Sequence, residues 1–197
     1  RGLRFDDDRA KLQDQMPQLR VHPRLLGPLM SVSILVLYDR KNSAIEELAQ
    51  EAAMGAELSG ATVTVKQTTE ASQADLLAVD GLILGSPNWS GITGSLKSWL
   101  DDQGDLWEDG SLGGKPAAAF TAGSGQHSGL EMTLLQMLHW MLACGMVVVG
   151  LPWGERMKGS GSYYGATAVG DVTTEDLAQA RELGARLASV AARLAAA

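Results

Sequence analysis

One cysteine, Cys144, is all that 197 residues carry. An internal disulfide is therefore excluded, and so is a metal site built from several thiolates. The same scarcity fits a reducing, cytoplasmic location. Only three histidines are present, and His22, His127 and His139 are too scattered to make a metal site. No run of about 18 apolar residues exists, so no membrane span is expected. Basic residues are outnumbered, with 16 Lys and Arg against 23 Asp and Glu and a net charge of −7. A nucleic-acid binder carries a basic field, and that class is set aside.

Three familiar signatures are also missing. Residues 39–44 lack the Gly-x-x-x-x-Gly-Lys-Ser/Thr spacing that cradles nucleoside triphosphates. No Gly-x-Gly-x-x-Gly follows the first apolar run, so a dinucleotide fingerprint is absent. No Gly-x-Ser-x-Gly elbow exists, which argues against a serine hydrolase. The first 29 residues contain Asp6-Asp7-Asp8 and several arginines but no apolar core and no serine. They read as neither a secretory signal nor a transit peptide, and as a loosely ordered extension. Met30 stands directly before the first strand as a candidate natural start, so residues 30–197 form the expected single domain.

What is present is a regular alternation. Val32 to Tyr38 is nearly all apolar, as a strand buried on both faces should be. Apolar residues at 45, 48, 49, 52, 53 and 56 follow at helical period, and Gly60 ends that helix. Thr62 to Lys66 reads as an outer strand, Ala74 to Val79 as a short helix, and Gly81 to Leu84 as a second buried strand. Thr93 to Leu100 is helical. Lys115 to Thr121 is a strand, Ser128 to Cys144 a helix and Met146 to Val149 a fifth buried strand. Residues 150–172 are glycine-rich and irregular. A final helix starts at Thr173 or Thr174, with Glu175 and Asp176 in its first turn. His139-Trp140 and the Met132, Met137, Met141 and Met146 group read as packing or subunit contact. Five strands alternating with helices give an α/β, doubly wound parallel sheet of order 2-1-3-4-5 with helices on both faces.

In such a sheet, the loops at the carboxyl ends of the strands build the ligand site. Three stand out. Asp39-Arg40-Lys41-Asn42-Ser43-Ala44 offers donors at a helix N-terminus, as a phosphate cradle would, or is a solvated turn capped by Asn42 or Ser43. Pro87 to Gly94 is a turn fixed by Ser86-Pro87-Asn88. It presents Trp89 as a flat face for a planar ligand, with a flavin as the first candidate, or as an edge of the core. Thr121 to Gly129 has glycines at 123, 125 and 129 that permit close backbone approach. His127 in it could bond a ring carbonyl or stand as an exposed loop histidine.

Taken together, these residues resemble the flavodoxin-like family, and within it the WrbA-type NAD(P)H:quinone oxidoreductases. The similarity runs over residues 32–150. It is carried by Val36-Leu37-Tyr38, Gly85-Ser86-Pro87, Gly94 through Leu100-Asp101, Gly104-Asp105-Leu106-Trp107, Gly114-Lys115, Phe120-Thr121 and Gly145-Met146-Val147-Val148. The Leu100 to Lys115 segment separates it from generic electron-transfer flavodoxins.

The resemblance implies bound FMN, with NADH or NADPH as donor and a quinone as acceptor, exchanging a hydride at one flavin face. The phosphate would lie on Arg40, Asn42, Ser43, Ala44 and Ile45. The ring would lie against Pro87, Asn88, Trp89, Ser90 and Gly91 on one side, and Thr121, Ala122, Gly123, Ser124, Gly125 and His127 on the other. Trp107 resembles the aromatic that borders the open flavin face. A neighbouring subunit completes that family's pocket, so a homo-oligomer, dimer or tetramer, is implied.

The first loop departs from the family's Ser/Thr-and-Gly pattern at Arg40 and Ser43, and Cys144 stands where many relatives have His. Two other readings accompany the reductase: a flavodoxin-type one-electron carrier, and a flavin-free interaction protein on a degenerate flavodoxin scaffold.

Overall fold

A computed structural model describes residues 31–40, 44–158 and 161–196. The expected extension, residues 1–29, lies outside them, as do Asn42 and Ser43. Strand β1, Ser33–Tyr38, leads to helix α1, Ala44–Leu58, and strand β2, Thr62–Gln67. Helix α2, Gln73–Leu77, precedes strand β3, Gly81–Pro87, which leads into helices α3, Gly94–Asp101, and α4, Gly104–Glu108. Strand β4, Pro116–Gly123, helix α5, Leu130–Ala143, and strand β5, Val147–Val148, follow. Strand β6, Gly165–Val169, and helix α6, Thr174–Ala195, complete the order. Thr173 caps α6 in the expected place: its hydroxyl accepts from the Asp176 amide, and the Asp176 carboxylate accepts from the Thr173 amide.

The sheet is parallel throughout, in the order β2-β1-β3-β4-β5. Side chains alternate across it as a strand's two-residue period requires. Ile34, Val36, Ile83 and Phe120 face α1 and α6 in one core layer. Leu35, Leu37, Leu82 and Leu84 face α3 and α5 in the other.

Two expectations need correction. Residues 150–172 are not wholly irregular, because Gly165–Val169 is a sixth strand that pairs with Ala119 to Gly123 of β4. The fifth strand is only Val147–Val148, pairs with Pro116 and Ala117, and is not buried, Val147 being exposed. The fifth position beside β4 is thus occupied by two short pieces that are 16 residues apart in the chain. Gly-Ala-Thr-Ala-Val has little intrinsic strand character, and tertiary pairing overrides it. Gly165 is required there: a Cβ would lie 2.0 Å from the Ala119 carbonyl oxygen. Among the described residues, no helix is long and apolar enough to cross a membrane.

Candidate functional site

The loops after β1, β3 and β4 meet at the carboxyl edge in a cleft of about 340 Å³. From the first loop it takes Arg40, and from the start of α1 Ala44 and Ile45; from the second, Pro87, Asn88 and Trp89; from the third, Ala122, Gly123 and Ser124. Nine of the expected cofactor residues are therefore neighbours. The chain brings them together because all three strands end at one level of a parallel sheet.

Inside the cleft the functional side chains are few. Trp89 is 64% exposed, and the Arg40 guanidinium carbon lies 4.7 Å from its ring centroid. Arg40 has φ 77° and Ser90 φ 59°. Both lie in the left-handed region that non-glycine residues seldom enter.

Asn88 lines the cleft, but its amide acts as a brace. It donates to the Ser128 carbonyl at 2.9 Å, and its Oδ1 accepts from the Thr133 hydroxyl at 2.9 Å and the Gly91 amide at 3.2 Å. The second loop is thereby fixed to the third and to α5.

Other expected residues are placed elsewhere. Thr121 is buried within the sheet and donates to the Ser86 carbonyl at 2.7 Å. Ser90 opens onto a different hollow, between α3 and α5. Gly91 lies beside Gln136, whose Oε1 accepts from the Ile92 amide at 2.8 Å. The Gly125 carbonyl accepts from the Ser128 hydroxyl at 2.6 Å. His127 faces an adjoining hollow of about 620 Å³ together with Glu131 and Tyr164. Trp107 is half exposed on α4 and does not line the three-loop cleft.

Two contributors were not anticipated. Gly170, just past β6, closes the cleft and donates its amide to the Gly123 carbonyl at 2.9 Å. It was invisible because the strand before it was. Asp39 is buried at the end of β1 and accepts from the hydroxyls of Thr68, Thr93 and Ser95 at 3.2, 2.5 and 2.9 Å. Its only sequence signal is an acid directly after a buried strand. Cys144 is buried, and burial pushes its thiol up to about 11, so a thiolate role is not supported there. Among the described residues, no three His, Cys, Asp or Glu side chains are placed to share a metal ion.

A guanidinium, the N-terminal turn of α1 and an aromatic wall share one cleft. That donor set suits a planar ring carrying an anionic group.

Comparison with known proteins agrees. Residues 45–154 match the family model described as NADPH-dependent FMN reductase. The chain belongs to that family. The matched segment holds α1 from Ile45 on, the second and third loops and Trp107, whereas Arg40 and Ala44 precede it. A protein of Archaeoglobus fulgidus named NAD(P)H dehydrogenase (quinone) is 35% identical over 187 residues, covering 82% of this chain and 98% of its own length. Another of the same name from Azorhizobium caulinodans is 37% identical over 194 residues, with the same coverage. Among solved structures, a flavodoxin, WrbA-like protein from Agrobacterium tumefaciens superposes with a TM-score of 0.68 at 24% identity, covering 83% of this chain and 99% of that one. At that identity it supports the fold alone. The parallel order 2-1-3-4-5 expected from the residue pattern, and the flavodoxin-like fold that the resemblance implied, are therefore present.

Proposed function

We propose that this chain is an FMN-dependent NAD(P)H:quinone oxidoreductase. The observation that carries the proposal is the convergence of the β1, β3 and β4 loops on one cleft that holds Arg40 and Trp89. The relatives named NAD(P)H dehydrogenase (quinone), matched along nearly their whole length, give the reaction. When bound, FMN supplies a ring that takes up a hydride equivalent from NADH or NADPH and delivers two electrons to a quinone.

The residues have separate tasks. Arg40, Asn42, Ser43 and the amides of Ala44 and Ile45 at the start of α1 hold the phosphate. Pro87 and Trp89 form one wall for the ring, and Ser90 and Gly91 set the turn that carries it. Thr121 locks the third loop to β3, so that Ala122, Gly123 and Ser124, which line the cleft, would border the ring. Backbone amides there would favour negative charge on a bound ring. Asn88 ties the second loop to the third and to α5. His127 faces the neighbouring hollow, which favours a role with the acceptor's oxygen over one with the flavin.

Trp107 stands half exposed and outside its own cleft. We assign it to the open side of the site on a neighbouring subunit, in a homodimer or homotetramer. A cytoplasmic location is supported by the single cysteine.

The test is retention of flavin followed by steady-state kinetics. FMN that stays with the protein through gel filtration, and parallel reciprocal plots for NAD(P)H against benzoquinone, are expected. Loss of flavin from protein saturated with FMN would refute the flavin site, and intersecting plots would refute the shared-face mechanism.

A further inference from the structure

The hollow of about 620 Å³ that His127 faces continues from the three-loop cleft along the third loop and the end of β6. Gly123 and Gly170 line the cleft, and Gln126 and Val169 line the hollow. Its lining is of two kinds. His127, Ser162 and Thr167 are polar, whereas Leu130, Met132 and Leu135 of α5 are hydrocarbon. Met132 is 60% and Leu135 36% exposed, one turn apart on the same helix face. The polar part is tied to α5. The Ser162 hydroxyl is buried, donates to Glu131 Oε1 at 3.0 Å and accepts from the Tyr164 amide at 3.2 Å. The segment before β6 is thereby held against the first turn of that helix.

We infer that this hollow takes the electron acceptor, and that the acceptor is a quinone carrying a hydrocarbon chain, its ring oxygen at His127 and its chain along Met132 and Leu135. This rests on the oxidoreductase reading above. Charge separates the acceptor from the electron donor. Among the described residues that line the hollow there is no Lys or Arg, and there is the Glu131 carboxylate. A dinucleotide brings an anionic pyrophosphate, which that lining repels. A quinone brings no charge. The hydrocarbon then separates one class of quinone from another. A chainless ring needs a polar group and a flat surface, and it leaves Met132 and Leu135 in water. A chain covers both, and each methylene that is fully buried strengthens binding about fourfold.

The test uses the full chain saturated with FMN and two acceptors that share one ring: a dimethoxy-methyl benzoquinone, and the same quinone bearing a decyl chain. The decyl quinone is expected to show a KM at least about tenfold lower, at similar kcat. A chain held equally before and during the reaction lowers KM alone. The double variant Met132→Gln, Leu135→Gln keeps side-chain length and helix propensity, and circular dichroism checks its fold. Its KM ratio between the two quinones is expected to fall below about threefold, because hydrocarbon contact is lost.

Calorimetry without NAD(P)H reads binding apart from turnover. The decyl quinone is expected to bind with a negative heat-capacity change that exceeds that of the chainless ring, and the double variant should shrink the difference. Equal KM values for the two quinones in the wild type overturn the inference and leave the reductase standing. An undiminished ratio in the double variant also overturns it, and a changed elution volume on gel filtration beside that ratio would assign the α5 face to a contact between copies. Reduction of neither quinone, with no heat of binding from either, overturns the inference and the oxidoreductase reading together.

Discussion

Asp39 at the end of β1 accepts a hydrogen bond from Thr93, the cap of helix α3, 54 residues further along. That contact joins the first loop to the helix behind the second. Asp39→Ala leaves three hydroxyls without their shared acceptor, and about 2–3 kcal/mol of stability should be lost. Asp39→Asn should cost less, because hydroxyls can rotate to accept from an amide. Urea unfolding measures both, through a shifted midpoint at unchanged slope. A neutral Asp39→Ala would mean that the loop and α3 are joined by other means.

Helices α1 and α6 touch backbone to backbone. A Cβ on Gly184 would lie 1.8 Å from the Ala52 carbonyl oxygen, and one on Gly55 1.9 Å from that of Arg181. Gly184→Ala should therefore destabilise by about 2 kcal/mol or more through overpacking, despite alanine's better helix propensity. Gly94, with nothing within 4 Å of its Cβ position, is the control. Gly94→Ala should be neutral or stabilising by about 0.5 kcal/mol. Thermal midpoints of the two variants should move in different directions or by clearly different amounts.

Two tryptophans should separate binding from turnover. Trp89→Ala removes the wall of the cleft and should weaken FMN binding about tenfold, by loss of aromatic stacking and buried area. Trp107→Ala should leave FMN affinity within about twofold, since charge and ring contacts within one protomer persist, yet lower kcat/KM for the quinone. A Trp107 variant that loses FMN instead would show that the residue serves flavin binding rather than the acceptor.

Asp75 provides an acid-dependent term. Lys66, 2.6 Å away, holds its carboxyl below the usual 3.8, and bonds from Ser72 act in the same direction. A carboxylate depressed in the folded state contributes stability above its unfolded pKa, and that contribution disappears as pH falls through the folded value. Asp75→Asn should therefore cost about 1 kcal/mol at pH 7, where cap and ion pair are both intact. The gap to the wild type should narrow below pH 3.8. Denaturation curves over a pH series will show a constant gap if packing alone is responsible.

Cys144 should behave as a protected thiol. Burial pushes it up to about 11. Iodoacetamide at pH 8 should leave it unmodified in the native protein and label it in denaturant, as mass spectrometry can follow. The neutral thiol's contribution to stability is present below the unfolded thiol pKa and is lost as pH rises toward 11. Rapid labelling of the native chain would show that the end of α5 opens readily.

The sheet was legible because its signals are local. Buried strands such as Ser33–Tyr38 are continuous apolar runs, α1 and α6 carry unbroken helical periods, and α6 has its cap at Thr173. With parallel strands and right-handed crossovers, few orders remain. Gly165–Val169 was not legible, since alanines and glycine show no strand pattern until β4 offers hydrogen bonds. Gly170, which depends on that strand, was lost with it.

The candidate site divides in the same way. The sequence by itself determined that three polar loops close one edge, that Trp89 stands in the second and that Arg40 stands in the first. Those are properties of residue type and of position relative to strands. Only the tertiary structure decided that His127 turns to a neighbouring hollow, that Asn88 spends its amide on bracing, that Asp39 is buried among three hydroxyls and that Arg40 lies on Trp89. Each of these is a contact between segments far apart in the chain. Its energy depends on distance and direction between side chains, which no local pattern encodes.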